Sequence, residues 1–204
     1  MGHTPLDRVR ELNYDHHRRM GEIHQRLTAQ GTQAASAAVD DQSYRALLQR
    51  VPGGRTAVLE LGSASGGQWA LLREWLTPGG RMAGIDLYEP FVLPAQAAGL
   101  DITLGFVEEM PFSDGAFDLV CSRHVMEHLG DLPKGILEIL RVTKVGGWVA
   151  HVTPDMAYDS EPAHLNHHDL EGWRLIWRAA GLRVLHAERH PFHGGEVHIV
   201  GRRL

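Results

Sequence analysis

Short apolar runs alternate with amphipathic stretches along the chain from residue 55 onward. Nearly continuous apolar strands that alternate with helices are typical of a parallel sheet covered by helices on both faces. Only the segment "HPFHGGE" separates the last two runs; it is too short for a crossover helix, so these strands should pair antiparallel. The pattern predicts strands at 57–61, 81–86, 102–106, 117–122, 147–153, 182–189 and 196–202, and helices at 66–76, 90–98, 131–142 and 169–180.

Residues 5–28 follow a helical period instead. Their apolar side chains recur at steps of three and four, which predicts one face of an amphipathic helix, and a second helix ends at Pro52. Because such a face needs a partner surface, we expect residues 1–50 to form a helical lid or the interface of a homodimer, beside a main domain at 51–204. The residues expected to point toward the pocket or the interface are Tyr14, His16 and His17.

The composition narrows the class of protein. A chain of 204 residues that is 43% apolar can bury one sizeable core. The formal charge of −5 argues against a nucleic-acid binder that relies on a broad basic surface. The single cysteine, Cys121, excludes a disulfide framework and favours a reducing compartment. No signal-peptide core or apolar spanning segment is visible, so we expect a soluble, cytoplasmic protein without a membrane partner.

The stretch "VLELGSASGGQWALL" passes directly from a buried strand into a glycine-containing loop and a helix. Such a junction lets backbone N–H groups approach a ligand without intervening side chains. The next strand ends in Asp86, at the offset from Gly66 where a carboxylate accepts both hydroxyls of a ribose. Ligands of open α/β sheets bind at the carboxyl ends of the strands. Together these residues predict a nucleotide-type cofactor.

Four segments in register resemble the motifs of class I S-adenosylmethionine-dependent methyltransferases: "VLELGSASG", "GIDLYEP", "EEMPFSDGAFDLVCSRHVMEHLGD" and "EILRVTKVGGWVAHVTP". The resemblance implies a doubly wound, mostly parallel, seven-stranded Rossmann-like sheet with an antiparallel last strand and helices on both faces. It also implies that S-adenosylmethionine is the cofactor and that Glu60 helps to position the loop and the methionine ammonium. The residues expected to bind this cofactor are Glu60, Gly62, Ser63, Ala64, Gly66, Asp86, Leu87, Val107, Glu108, Ser122 and Arg123.

The chain departs from the family pattern at two positions. Ala64 stands at the middle glycine of the loop, where a methyl group is tolerated if its φ is negative. Phe106 stands where the family often has an Asp that accepts a hydrogen bond from the adenine amino group. We expect Phe106 to contact the adenine edge or to fill the core. The Val107 N–H would then face a ring nitrogen, with Glu108 or Glu109 as substitute acceptors.

Histidines cluster where the predicted fourth strand ends and again in the segment "HLNHH". His124 is the first candidate for the proton acceptor or orienting group, because imidazole titrates near neutral pH; a structural loop histidine is the alternative. His164 and His167 are competing catalytic candidates on a loop over the pocket, and with His168 they could also bind substrate or a metal or be solvated. For His128 an anchoring role is favoured.

His124, Glu127 and His128 also fit the His-x-x-Glu-His pattern of inverted zinc peptidases. That chemistry requires the motif inside a long helix, whereas here it follows a strand, so no metal site is assigned. The favoured function is transfer of a methyl group to an oxygen or nitrogen of a small polar metabolite. A metal-dependent hydrolase and a non-catalytic cofactor-binding subunit are the alternatives.

Overall fold

The computed structural model describes residues 33–157, 164–192 and 195–204, together with isolated helical positions between residues 8 and 19; for residues 33–40 only the backbone is described. The strands are β1 (Arg55–Leu61), β2 (Leu76–Asp86), β3 (Ile102–Leu104), β4 (Phe117–Arg123), β5 (Thr143–Pro154), β6 (Leu182–His190) and β7 (Glu196–Arg203). The helices are α1 (Gln33–Leu48), α2 (Trp69–Leu72), α3 (Glu89–Ala97), α4 (Leu132–Val142) and α5 (Leu170–Ala179).

The strands form a single sheet in the order β3-β2-β1-β4-β5-β7-β6. The β1–β2, β1–β4, β2–β3 and β4–β5 pairs are parallel, and β7 runs antiparallel to both β5 and β6. The predicted mostly parallel seven-stranded sheet with an antiparallel last strand is therefore confirmed. From β1 the chain adds β2 and β3 on one side of the sheet and then returns to add β4 on the other side. The strand order therefore reverses between β1 and β4, which flank the switch point of the sheet.

Each face of the sheet carries its own apolar core. On one face, Trp173 and Trp177 of α5 are fully buried beside Ile139 of α4. On the other, Tyr44 and Leu47 of α1 are fully buried and pack with α2 and α3. The strong amphipathic period of α4 and α5 explains their position, because each buries a single apolar stripe, whereas α1 and α3 are only weakly amphipathic. Helix α1 is thus part of the main core, although the sequence placed it in a separate N-terminal segment.

One predicted helix is shorter than expected. The segment 66–76 forms only the four-residue α2 and a 3-10 turn at Arg73–Trp75, and β2 begins directly at Leu76. The Trp75 indole N–H donates to the Val51 carbonyl at 3.0 Å, so tertiary anchoring ends the helix where its apolar period would continue. Most of the predicted helix over 5–28 lies outside the described residues.

No helix within the described part of the chain is long and apolar enough to cross a membrane.

Candidate functional site

A groove opens at the carboxyl ends of β1, β2 and β4, beside the switch point of the sheet. It encloses about 770 Å³, including the open solvent at its mouth. The loop after β1 forms one wall, the end of β2 and the segment after β3 form another, and the segment after β4 closes the far end. This is the position at which open α/β sheets bind their ligands.

The loop after β1 brings backbone atoms to the groove. Gly62 has a φ of +65°, and a Cβ added there would lie 2.4 Å from Cγ2 of Val125. The N–H groups of Gly62 and Ser63 donate to the carbonyl of Ile85 at 2.8 and 3.2 Å, which ties the loop to β2. Only glycine combines this conformation with this close approach.

Ala64 has a φ of +45°, so the condition under which its methyl group would be tolerated without strain, a negative φ, is not met. A non-glycine residue in the left-handed region costs of the order of 1 kcal/mol. The conformation points the Ala64 N–H at Oδ2 of Asp86, to which it donates at 2.8 Å. The hydrogen bond therefore offsets part of the backbone strain and locks the loop onto the end of β2.

Asp86 is the acidic group at the β2 end of the groove. Besides Ala64, its carboxylate accepts a hydrogen bond from the Tyr88 N–H at 2.8 Å. Burial raises the pKa of Asp86, while the backbone hydrogen bonds from Tyr88 and Ala64 act in the opposite direction. Each carboxylate oxygen has two lone pairs, so the donors named here leave acceptor capacity for the hydroxyls of a ligand.

Glu60 lies behind the loop rather than in the wall of the groove. Its side chain is buried, and its Oε2 has no hydrogen-bond partner among the described residues. Burial raises its pKa to about 8, against smaller lowering contributions from Trp69, Ser63 and Arg123. A buried carboxyl with an unsatisfied oxygen needs a donor or a positive charge.

These features fit S-adenosylmethionine. The Asp86 carboxylate suits the two hydroxyls of its ribose. Glu60 lies behind the loop, and its contact with the methionine ammonium stays a prediction. The Gly62 cradle, which a Cβ would fill, leaves backbone exposed to the ligand. None of these features is specific for a phosphate group, in keeping with S-adenosylmethionine, which has no phosphate.

On the opposite wall, one of the residues proposed as an adenine contact, Glu109, does not line the groove. Phe106, Val107 and Glu108 all line the groove. The Glu108 carboxylate accepts a hydrogen bond from the Gly130 N–H at 3.0 Å and so also orders the turn before α4. Glu109 instead pairs with Lys134 at 2.6 Å, in a bridge that is 56% exposed on the Glu109 side, and lies outside the groove. Of the two proposed substitute acceptors, the structure supports only Glu108.

His124 lies at the far end of the groove between two buried carboxylates. Its Nδ1 donates to Oε1 of Glu127 at 3.2 Å and its Nε2 to Oε1 of Glu196 at 2.9 Å. Burial lowers its pKa, but the hydrogen bonds to Glu127 and Glu196 outweigh burial and raise the pKa to about 9. Both ring nitrogens are thereby engaged as donors, so the geometry favours the predicted orienting role over the proton-acceptor role.

The His124 side chain is held in place by several elements. Its backbone has a φ of +53°, the second non-glycine residue in the left-handed region among the described residues. Glu196, at the start of β7, also accepts hydrogen bonds from Ser43 of α1 and from His198, the latter at 3.1 Å. Burial raises the pKa of Glu196, but its hydrogen bonds with His124, His198 and Ser43 lower it overall. A strained backbone conformation such as that of His124 persists only where surrounding contacts hold the residue in place.

The loop that carries His164 and His167 packs against the segment after β4. The N–H groups of Leu165 and Asn166 donate to the Glu127 carbonyl at 2.7 and 3.0 Å. The His164 ring lies 4.7 Å from the ring of His128, which lines the groove, and the His167 ring lies 6.3 Å from that of His164. The loop therefore contacts the segment that closes the far end of the groove, and a contact of His164 or His167 with the acceptor stays a prediction.

The zinc-peptidase geometry is not formed. His124 follows the end of β4, and only Met126–His128 form a single 3-10 turn. Two histidines on one helical face are therefore not available for the metal of such an enzyme.

Sequence reasoning found about half of this groove. Of the predicted cofactor residues, those that line it are Gly62, Ala64, Asp86, Leu87, Val107 and Glu108. The others lie behind or beside it, and their contact with the cofactor stays a prediction: Glu60, Ser63, Gly66, Ser122 and Arg123. Lining residues that the sequence analysis did not assign are Ile85, Tyr88, Phe91, Gly105, Val125, His128 and Leu129. Tyr88 and Val125 could have been predicted from the sequence as lining residues, since each lies two residues after the end of a strand.

Comparisons with known proteins agree with this geometry. Residues 59–151 match the model of a methyltransferase domain. An uncharacterized 37.1 kDa protein encoded in a transposon of Streptomyces fradiae is 26% identical over 177 residues, which cover 77% of this chain and 50% of that protein. A malonyl-(acyl-carrier protein) O-methyltransferase of Serratia marcescens is 31% identical over 131 residues, which cover 59% of this chain and 51% of the enzyme.

Among solved structures, a chain from the complex of the Haloferax volcanii Trm112 methyltransferase activator with a methyltransferase has a similar fold. Its TM-score is 0.73 at 20% identity, over 86% of this chain and 95% of that one. The chain spans about half the length of the first curated relatives that it matches. The matched domain, the sheet order and the groove with Asp86 lead to one conclusion: residues 59–151 carry a methyltransferase domain of the class I S-adenosylmethionine-dependent type, which implies S-adenosylmethionine as the cofactor.

Proposed function

We propose that this chain catalyses transfer of a methyl group to an oxygen or nitrogen of a small polar metabolite. The observation that carries the proposal is the groove itself, which runs from Asp86 at one end to His124 and His128 at the other. A ligand held at the Asp86 end leaves the histidine end for an acceptor. When bound, S-adenosylmethionine supplies an electrophilic methyl group, which an acceptor lone pair takes as the carbon–sulfur bond breaks and its electrons stay on sulfur.

The contribution of the protein is mainly orientation. Asp86 and the Ala64 backbone fix the ribose end, while Tyr88, Phe91 and Phe106 form apolar walls that limit water. Holding two reactants in an aligned geometry can supply several kcal/mol of the barrier reduction without covalent chemistry. The residues around the groove are consistent with this kind of catalysis.

His124 has a positioning role in this proposal. Because its two ring nitrogens donate to Glu127 and Glu196, it holds the segment after β4 against β7 and so fixes the wall next to the acceptor. The proton of the acceptor then passes to the loop, where His167 is the proposed proton acceptor and His164 faces His128. A neutral imidazole within hydrogen-bond reach would contribute about a hundredfold or more to the rate.

The acidic balance of the chain and the moderate size of the groove support a small acceptor rather than a nucleic acid. The relative from Serratia marcescens is named as an O-methyltransferase, which supports an oxygen acceptor. Panels of carboxylates, phenols and amines are therefore the appropriate acceptors to test first.

We propose further that the N-terminal segment covers the mouth of the groove. The ring of Tyr14 lies 5.7 Å from the ring of Tyr88, which lines the groove. Of the two predicted roles of this segment, lid or dimer interface, this contact supports the lid. His16 and His17, which were expected to share that orientation, lie outside the described residues.

The experiment is transfer of radiolabelled methyl groups from S-adenosylmethionine to a panel of small metabolites. The proposal predicts label in at least one acceptor, and a turnover that falls at least about tenfold in His167→Asn with unchanged affinity for S-adenosylhomocysteine. His186→Asn, on the exposed part of β6, is the matched control. Binding of S-adenosylhomocysteine without transfer to any acceptor would instead indicate a non-catalytic cofactor-binding subunit.

A further inference from the structure

Three potential metal ligands meet beside the far end of the groove. One ligand atom from each of Glu127, His128 and His164 lies within 4.8 Å of the other two. Glu127 and His128 are buried and His164 is half-buried. No metal site was assigned from the sequence because the motif from His124 to His128 follows a strand, although metal binding was one of the roles left open for His164. His164 lies on a loop 36 residues further along the chain than His128.

The backbone fixes the position of His164. The Glu127 carbonyl accepts hydrogen bonds from the N–H groups of Leu165 and Asn166, at 2.7 and 3.0 Å. The side-chain amide of Asn166 donates to the carbonyls of Met126 and Leu129, at 3.0 and 2.8 Å. Four hydrogen bonds thus join the loop to the 3-10 turn, and the cluster does not depend on a chance approach of two mobile side chains.

Glu127 supplies the second, independent observation. Its side chain is 1% exposed, and while Oε1 accepts the hydrogen bond from His124, Oε2 has no hydrogen-bond partner among the described residues. Leaving a buried carboxylate oxygen unsatisfied is costly. His124 uses its other ring nitrogen on Glu196, so its ring has no further N–H for Oε2 of Glu127. A cation bound beside Glu127 would satisfy this oxygen.

The donor set has a defined chemistry. Two imidazoles and one carboxylate suit Zn²⁺ and other divalent transition metals, and three protein ligands leave a coordination position open for an exogenous group. His124 would serve as the outer partner that orients the carboxylate. Because His128 also lines the groove, an ion held by these residues would lie next to the space assigned to the acceptor.

We propose that Glu127, His128 and His164 bind a divalent transition-metal cation at the acceptor end of the groove. Its role, which rests on the proposed function, is to hold an oxygen-bearing acceptor and to favour its deprotonated form. The acceptors selected in this way are those with two neighbouring oxygens, such as hydroxy acids or vicinal diphenols, which would chelate the ion as its coordination number rises from four to five.

The test is a titration of the chelator-treated full chain with Co²⁺, followed by its visible absorption, and then with Zn²⁺ in competition. We expect one Co²⁺ per chain, displaced by Zn²⁺, and an affinity at least about tenfold lower in His164→Ala and in His128→Ala. The matched control is His186→Ala, an exposed histidine on β6 outside the cluster, which should leave the affinity unchanged. Circular dichroism of each variant verifies its fold.

Absence of saturable Co²⁺ binding, or binding that His164→Ala and His128→Ala leave intact, would overturn the metal site. Calorimetry of the same metal-free sample with S-adenosylhomocysteine separates this failure from that of the proposed function. Cofactor binding without Co²⁺ binding removes only the metal inference, whereas loss of both in a folded chain also removes the proposed methyl transfer.

Discussion

Asp86 combines two roles in one carboxylate. It anchors the glycine loop through the Ala64 N–H and the start of the next segment through the Tyr88 N–H, each at 2.8 Å. The same group lines the groove, where we propose that it binds the ribose of the cofactor. If the proposal holds, the loop and the cofactor both depend on this residue, which makes it an informative position to change.

Asp86→Ala is expected to weaken binding of S-adenosylhomocysteine by about 2 kcal/mol, or about thirtyfold, because hydrogen bonds from two hydroxyls to a charged acceptor are lost. Isothermal titration calorimetry measures the change. Asp101→Ala is the matched control, since that carboxylate pairs with Arg81 on the surface and is 55% exposed. Wild-type affinity in a folded Asp86→Ala variant would remove Asp86 from the cofactor site.

His124 is central to the stability of the far end of the groove. Its removal would leave Glu127 and Glu196 buried without their shared partner. Loss of one member of a buried charged group typically costs 3–5 kcal/mol, so His124→Ala should lower the free energy of unfolding by about 3 kcal/mol. Urea denaturation measures this value, with His186→Ala as the exposed control.

The double variant His124→Ala with Glu196→Gln gives the sharper result. If the two residues stabilise each other, the second change costs less in the absence of His124 than in its presence. Additive losses would show that the contact between Nε2 and Glu196 does not contribute to folding.

At the scale of elements, the junction between β1 and α2 is the most constrained. Gly62 has a positive φ and a Cβ at this position would overlap Val125, whereas Gly67, five residues later, has open space around it. We expect Gly62→Ala to destabilise the chain by about 2 kcal/mol or more, through backbone strain and displacement of the segment after β4. Thermal melting measures the effect, and Gly67→Ala is the control. Equal melting temperatures of the two variants would contradict this description of the loop.

The elements show what the sequence could predict. The strand positions and the antiparallel last pair followed from apolar runs and from the length of the final connection. The helix expected at 66–76 is short because Trp75 is anchored to Val51, a tertiary contact that no local period encodes. The positive φ of Ala64 could not be predicted from the local sequence, because its compensating partner, Asp86, lies at the end of β2.

At the scale of the whole molecule, the far end of the groove is built from distant parts of the chain. His124 meets Glu196 72 positions away, and Glu196 in turn meets Ser43 of α1. Sequence reasoning selected His124 from its position after a strand, but the carboxylates that hold it become visible only when β7 and α1 have packed. The role of His124 could not be chosen from sequence for this reason.

The buried histidine of β5 makes the stability of the fold depend on pH. His151 accepts a hydrogen bond from the Trp177 indole N–H; burial, with a smaller contribution from the charge of His198, lowers its pKa to about 3. An unfolded histidine has a pKa near 6.5, so the unfolded state binds the additional proton between these values. The contribution of His151 is therefore complete above about pH 6.5 and is lost as the pH falls toward 3.

His151→Gln retains an acceptor for Trp177 but does not titrate. Its free energy of unfolding should fall less steeply than that of the wild type between pH 6.5 and about pH 4. Urea denaturation at several pH values measures both slopes, and the comparison cancels the titration of the carboxylates common to both proteins. Parallel slopes would show that His151 is not the group responsible.

The most direct test of the cofactor and of the site is calorimetric titration of the chain with S-adenosylhomocysteine and, separately, with NAD. The groove has an acidic strand end and a buried carboxyl behind its loop, and none of these features is specific for phosphate. We therefore expect saturable binding of one S-adenosylhomocysteine per chain and much weaker binding of NAD. Tighter binding of NAD, or no saturable binding of S-adenosylhomocysteine to the folded chain, would contradict it.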